Sequence, residues 1–356
     1  MKRILITGAG GAPATNFVRS LRMVDNEKFH FIGVDADKYY LQRAETNEKY
    51  LVPLCNDPDY LPYLNMLIKE TGAEFLFAQP DMEIAVLSEW REQLNCKVLL
   101  PSKETIQICM DKFLSFEKWR DAGLTVPETM MISTELDLKE AFTNFGPTIW
   151  IRAVTGAAGK GSLPTDNYNQ AKAWLDFHEG WGSFSAAACL EQESITWQSI
   201  WNEGELVVAQ GRKRIYWEFA NRAPSGITGL TGTGVTISNP QLDDLAQRTI
   251  HAVDKKPHGI FSVDMTYDRD GIPNPTEINI GRFFTTHFFF TKAGLNMPQI
   301  YVKLAFNEKL PHIDKKINSL AEGIAWVRGM DVEPILTDMS TIEKAESELE
   351  QRRKDL

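Results

Sequence analysis

The sequence predicts an α/β part first, a doubly wound parallel sheet, and then an α+β part dominated by strands. Three observations point there. Through the first hundred residues, strand-sized apolar runs alternate with stretches of helical spacing. From 147 to 280, strands rich in Thr, Val, Ile and Trp follow one another, with glycine clusters at 156–161 and 226–234. The chain of 356 residues is also more than twice the ~150-residue scale of one domain, so two or three domains are expected.

Each element has a local reason. Residues 2–7 are an apolar strand, and the Gly8-Ala-Gly-Gly-Ala-Pro13 turn feeds a helix through Phe17, Val18 and Leu21. Residues 29–34 form the second strand, ending at Asp35, and 49–54 the third. Asp57-Pro58 opens a helix over 59–69; 74–78 is the next strand, 82–93 the next helix, and 98–100 closes the series. Ser102 is a helix cap for two helical stretches between 103 and 122, so a second domain begins near 105. The end, 340–356, is a charged helix passing from acidic to basic, which suits the helix dipole and a solvated surface position.

Composition narrows the function. Lys and Arg number 38 against 48 Asp and Glu, a net charge of −10, which argues against nonspecific binding to nucleic acid or anionic membrane. No apolar run approaches the ~18 residues of a membrane span, and the N-terminus reads as a strand and not as a secretory signal. The cysteines Cys55, Cys96, Cys109 and Cys189 form no CxxC pair. Six scattered histidines complete no zinc pattern, so a reduced, cytoplasmic enzyme is expected.

Two motifs suggest a nicotinamide-dependent reductase. The Gly8–Gly11 turn sits between a strand and a helix, with Asp35 placed to meet a ribose. Tyr168 and Lys172 have the spacing of a reductase catalytic pair. Against this, Pro13 occupies the third fingerprint position, and the Tyr–Lys pair opens a helix in the wrong half of the chain. The bland reading is a glycine turn between strand and helix.

The second half carries more chemistry. Ile149-Trp-Ile-Arg152 is a strand ending in a cation, and Thr155 to Ser162 is a glycine loop holding Lys160. Such a loop can close over phosphates, although a surface hairpin has the same composition. Residues 260–267 and 275–279 flank a DG turn, which predicts a hairpin. With the turn between Asp270 and Gly271, Asp264 faces Glu277, and Asn279 shares that face; Pro273 and Pro275 leave the register approximate. Two facing carboxylates and an amide suit Mg²⁺ when a cation sits between them; a solvated hairpin is the competing reading. Along Gly211-Arg-Lys-Arg214, alternation puts Arg212 and Arg214 on one face, either as an anion clamp or as a charged edge strand. Phe283, Phe284, Phe288, Phe289, Phe290 and Trp326 read as core, with His287 a structural histidine among them.

These pieces, in this order, resemble the ATP-grasp superfamily over residues 1–310 and are most similar to its carbamoyl-phosphate-synthase-like ligases. The ordered set also includes Asp111-Lys112, Ala122-Gly-Leu-Thr-Val-Pro127 and the strand at 189–195. The resemblance implies a Rossmann-like preATP-grasp domain (1–105) followed by a two-subdomain ATP-grasp fold. Its small lid subdomain would span 106–187 and its large subdomain 188–312, with a C-terminal strand and helix extension over 313–356. It implies an ATP-dependent carboxylate–amine ligase acting through an acylphosphate, with ATP and Mg²⁺ (or Mn²⁺) as cofactors. The partners implied are a small carboxylate and an amine, with a homodimer compatible.

Carried over by residue, Lys112 and Arg152 would contact ATP phosphates. Gly156, Gly159, Lys160, Gly161 and Ser162 would form the phosphate lid. Glu191, Glu193 and Ile195 lie where the adenine hinge belongs, the register between the two glutamates being open. The family's ribose-binding glutamate has no clear counterpart, and Gln198 is the nearest residue. Asp264, Glu277 and Asn279 match the magnesium ligands. Arg282 stands near the place of the family's E-x-N-P-R arginine, with Ile280 and Gly281 intervening, and joins Arg212 and Arg214 as a catalytic cation. A catalytically silent nucleotide-binding module is the alternative, ahead of the reductase.

Overall fold

The computed structural model describes every residue except 157, 158, 160, 192, 330–338 and 355. The N-terminal sheet is parallel. Its strands β1 (Lys2–Ile6), β2 (Phe29–Asp35), β3 (Glu48–Leu51) and β4 (Phe75–Phe77) lie in the order β3-β2-β1-β4. Between and after them run α1 (Ala12–Arg22), α2 (Lys38–Arg43), α3 (Tyr60–Thr71) and α4 (Asp81–Glu89). Ile4, Leu5 and Ile6 are fully buried in succession, as expected of a strand covered on both faces. The short helix α2 was not foreseen; Asp37 nucleates it by accepting hydrogen bonds from the Tyr39 and Tyr40 amides. The strand expected at 98–100 reduces to a single bridge between Phe75 and Lys97, because the chain turns away towards Pro101.

Next come α5 (Lys103–Met110), capped by Ser102, and α6 (Lys112–Asp121), capped by Asp111. A small antiparallel sheet then forms from β5 (Thr129–Ile132), β6 (Ile149–Ala153), β7 (Leu163–Thr165) and β8 (Phe184–Ala188), in the order β5-β8-β6-β7. The helices α7 (Glu135–Phe145) and α8 (Tyr168–Phe177) pack on it through Leu138, Ala141, Ala171 and Leu175.

The larger antiparallel sheet holds β9 (Ser194–Asn202), β10 (Glu205–Trp217), β11 (Thr231–Ile237), β12 (Gly259–Tyr267), β13 (Pro273–Ile280) and β14 (Ala325–Val327). Their order is β13-β12-β9-β10-β11-β14. Three further helices, α9 (Pro240–Val253), α10 (Phe288–Lys292) and α11 (Met297–Ala305), complete this part. Since β10 is an interior strand, the edge-strand reading of its arginines does not hold.

The large sheet and the N-terminal sheet share one core. Phe17 stacks on Phe77 at 3.9 Å, and Phe283 and Tyr301 close over Phe77 at 6.0 and 5.9 Å. The expected core aromatics Phe283, Phe284, Phe289 and Phe290 are buried here, while Phe288 and Trp326 pack edge-on at its margin. His287 is fully buried and pairs with the Phe284 carbonyl at 3.0 Å; burial pushes its pKa down to about 4, so it is a neutral structural residue.

The last helix, α12 (Met339–Arg353), is mostly exposed, as expected of a surface helix, and the sequence did not show where it docks. It returns to the β3 edge of the N-terminal sheet, where Arg353 pairs with Asp57 and Asp59, Arg352 with Glu70, and Glu346 with Lys38. Complementary charge docks it, with Leu349 packed against the core.

Candidate functional site

A cleft opens between the two antiparallel sheets. Arg152 of β6 and Ser162 line one side, and Arg214, Asp264 and Glu277 of the large sheet the other. Lys112, Gly156 and Gly159 stand at the rim, and Cys189 to Glu191 form the connection between the walls.

The hairpin β12–β13 sets the acidic wall. Asp264 lies opposite Glu277 in the register, as the DG turn predicted. The register slips directly after this pair, so Met265 faces Pro275 and Thr276 is the extra residue of a bulge. The Thr276 carbonyl accepts a hydrogen bond from Arg152 at 3.2 Å, tying the bulge across the cleft to β6.

Asn279 sits between the carboxylates. Its amide nitrogen donates to Asp264 Oδ2 at 3.1 Å and to Glu277 Oε1 at 3.4 Å, while its oxygen accepts from Arg282 at 2.7 Å. Burial raises the Asp264 pKa, opposed by Arg214 and reinforced by Glu277. Among the described residues no group of three His, Cys, Asp or Glu could hold a metal by itself. The donor types present, two carboxylates and an amide that would turn its oxygen from Arg282 towards them, suit a hard cation whose remaining ligands are phosphate oxygens and water. The amide N–H that now bridges the carboxylates takes the place such a cation would fill.

Cations face this wall. Lys112, the first residue of α6, donates to the Gly156 carbonyl at 2.5 Å. Its pKa is lowered by burial, with Glu277 acting against the shift. Burial likewise lowers Arg152, again against Glu277, and its Nε has no partner among the described residues. Arg214 bonds Thr231 Oγ1 at 2.9 Å and Ser194, and its guanidinium lies 3.4 Å from the centre of the Trp217 ring. An anion lodged among Lys112, Arg152 and Arg214 would relieve all three.

The glycine loop is described at Gly156, Gly159, Gly161 and Ser162; Lys160 lies outside the described residues. Gly159 has φ +67°, and a Cβ there would stand 2.6 Å from the Ile227 carbonyl oxygen, so this point of the loop admits only glycine. The base of the loop is held by Trp174, whose indole donates to the Gly161 carbonyl at 3.0 Å.

Several predicted residues stand elsewhere. Gln198 is fully buried and spends both ends inside the protein, donating to Ser262 at 2.6 Å and accepting from the Phe284 amide at 3.0 Å, so it offers nothing to a ribose. Ile195 is a core residue paired with Met265, and Glu193 turns outward to Lys213 at 2.8 Å. Of the three hinge candidates only Glu191 lines the cleft.

Arg212 is on the same face as Arg214 but one layer deeper, 2 % exposed, over the Phe284 ring and bonded to Thr231 and Thr196. Burial pushes its pKa far down, and Arg214 adds to the shift. It reaches the site through Thr196, whose hydroxyl donates to Asp264, and through Thr231, which it shares with Arg214, and so supports the site from behind. Arg282 is gripped by Asp81 and Asn279. Thr196, Trp217 and Asp81 escaped the sequence reading. Thr196 could have been found by its alternation with Ser194 and Gln198 along β9; Asp81, some two hundred residues from Arg282, gives no local signal.

The reductase motifs dissolve in the structure. The Gly10 amide donates to Asp35 at 3.0 Å, and a Cβ on Gly10 would overlap the Tyr40 carbonyl oxygen at 1.8 Å, so the turn is filled by the protein's own backbone. Tyr168 and Lys172 form a surface cluster with Glu135 and Asp176.

No family model matches the sequence, and no curated protein matches it. Solved structures do resemble the fold. Biotin carboxylase from Campylobacter jejuni, solved as a β,γ-ATP complex, superposes with a TM-score of 0.69 at 16% identity, over 91% of this chain and 74% of that one. N5-carboxyaminoimidazole synthetase from Staphylococcus aureus with ADP gives 0.67 at 15% identity, over 87% and 78%. The L-amino acid ligase from Bacillus licheniformis gives 0.66 at 12% identity, over 87% and 75%. All three are ATP-grasp ligases, and the likeness establishes the fold. Among the described residues no helix is long and apolar enough to cross a membrane.

Proposed function

With the ATP-grasp fold as premise, we propose that this chain is an ATP-dependent ligase that activates a small carboxylate as an acylphosphate and transfers it to an amine. The observation that carries the reading is the facing pair Asp264 and Glu277, bridged by Asn279, on the wall of a cleft whose rim and opposite wall bear Lys112, Arg152 and the glycine loop. The nucleotide would lie with its base against the Cys189–Glu191 connection and its phosphates among Lys112, Arg152 and Arg214. Asp264, Glu277 and Asn279 would hold Mg²⁺, which when bound neutralises phosphate charge and orients the terminal phosphate.

The residues then act by positioning and charge. A carboxylate oxygen of the substrate attacks the γ-phosphorus, the bond to the β–γ bridging oxygen breaks, and ADP leaves. Lys112, Arg152 and Arg214 stabilise the charge that spreads over the transferred group. The amine attacks the acyl carbon next, phosphate departs, and the amine proton goes to solvent or phosphate. The glycine loop, closing against Ile227, keeps water from the acylphosphate.

The test is a phosphate-release screen of the purified chain with Mg·ATP, small carboxylates and amine acceptors. Phosphate release that requires both substrates supports the ligase. Nucleotide binding with no turnover on any pair would favour a silent nucleotide-binding module, a reading in keeping with Gln198 being buried against Ser262 and closed to a ribose.

A further inference from the structure

The N-terminal sheet reaches the acidic wall through one side chain. Asp81 is the first residue of α4, directly after Pro80. Both its oxygens face Arg282: Oδ2 accepts from Nη2 at 3.1 Å, and Oδ1 from Nε. The same Nη2 also donates to the Asn279 oxygen at 2.7 Å. Arg282 is thus held at two points, on the far side of Asn279 from the carboxylates. The side chains of the ion pair are 15% and 31% exposed, so the pair is largely shielded from solvent.

The placement is rigid. Three residues into the same helix, Ile84 packs against Gly281 so closely that a Cβ there would lie 3.0 Å from Ile84 Cγ2. The start of α4 is therefore packed against the end of β13, which places Asp81 beside Arg282. Burial, the largest single influence, lowers the Arg282 pKa; Asp81, by charge and hydrogen bond, together with Glu277 and Asp264, outweighs it and the pKa is raised. The next anions around this guanidinium are Glu277 and Asp264.

We propose that Asp81 is a positioning residue of the metal site, holding the Arg282 cation off Asp264 and Glu277 so that the two carboxylates stay open to a divalent ion. The inference rests on the Mg²⁺ site proposed above. Without the Asp81 charge, Arg282 keeps only a neutral acceptor in Asn279, and the two neighbouring carboxylates draw it in. A guanidinium lodged there competes with the ion for the same oxygens and repels it. Loss of such a supporting partner commonly costs about 10–100-fold in metal affinity.

The experiment titrates Mn²⁺ by its electron paramagnetic resonance signal into the full chain carrying a nonhydrolysable ATP analogue. Asp81→Asn should weaken Mn²⁺ binding at least about tenfold while binding of the metal-free analogue stays unchanged. The double variant Asp81→Asn/Arg282→Gln should recover most of the lost affinity, because the competing cation is gone. A purely architectural ion pair predicts the opposite, with the double variant as weak as the single one or weaker. Asp81→Glu, which keeps the charge, should stay within about threefold of wild type and serves if Asp81→Asn does not fold.

Wild-type affinity in Asp81→Asn, or no recovery in the double variant, overturns the inference. Glu277→Gln is the control for the site itself. If it lowers Mn²⁺ affinity while Asp81→Asn does not, only the role of Asp81 falls. If Glu277→Gln binds Mn²⁺ as wild type does, the metal-site reading falls and takes this inference with it.

Discussion

Glu83 should make the protein less stable as the pH rises from 4.5 to 7. Its side chain lies on α4 at the carboxyl end of the parallel sheet, 6 % exposed, with Oε2 lacking a hydrogen-bond partner among the described residues. Burial raises its pKa from 4.5 to about 7; the neighbouring Thr7 and Tyr60 hydroxyls oppose this, and Asp35 adds to it. The folded state therefore keeps a proton that the unfolded chain has already released. At ~1.4 kcal/mol per unit, a rise from 4.5 to about 7 corresponds to about 3 kcal/mol. That stability is present in full below pH 4.5, is lost as the pH climbs through 7, and changes little above.

Replacing Glu83 with Gln keeps the shape and removes the ionisation. Expected is a variant more stable than wild type by up to about 3 kcal/mol at pH 8.5, with the two converging near pH 4.5. For a chain of this size that is a rise in Tm of about 4 °C. Thermal melts of both proteins from pH 4.5 to 8.5 decide it. A constant difference between the curves would show that Glu83 does not titrate in this range and would refute the reasoning.

Mg·ATP at a hundredfold its Kd should stabilise the protein by about 2.7 kcal/mol, and NADPH should not; calorimetric melts with each ligand check it, and a shift with NADPH alone reverses the functional assignment. Glu277→Gln should lower ATP turnover roughly a hundredfold while the Tm without metal stays level or rises, since carboxylate repulsion with Asp264 is relieved; normal turnover would move the metal site away from this hairpin. Gly10→Ala should destabilise the fold by about 3 kcal/mol or more, because the new Cβ overlaps the Tyr40 backbone; a variant melting like wild type would mean the turn is looser than its geometry.

The fold was legible where physics acts locally. Alternation of apolar strands and helical spacing located β1, β2, β4 and α1; the DG turn anticipated Asp264 opposite Glu277, a pairing that the Thr276 bulge restores after the register nearer the turn runs one residue off. The failures have local causes too. The six residues of α2 carry no apolar stripe, and only the Asp37 cap betrays them. The segment 98–100 is apolar because it is buried, not because it is paired: Leu99 and Leu100 fill the core while a single bridge at Lys97 touches the sheet. The charge gradient of α12 suited solvent exposure, and nothing within the helix announces Asp57, Asp59 and Glu70 as its partners.

In the candidate site, residue type and alternation were enough to place side chains on a face, and depth was the quantity they lacked. Arg212 and Arg214 share a face of β10, yet Arg214 meets the cleft while Arg212 lies behind it on Phe284. The same alternation along β9 sends Ser194, Thr196 and Gln198 to one side. There the layers run from Ser194 on Arg214, through Thr196 on Asp264, to Gln198 sealed against Ser262. A strand that enters the core at an angle carries successive same-face residues from ligand contact to support to packing. One linear pattern therefore yields three environments. Which residue falls in which layer depends on the crossing of β9 by β12 and on the aromatic cluster around Phe284, both assembled from sequence more than sixty residues away. Sequence pattern proposes the face; the tertiary core decides which residues on it can touch a ligand.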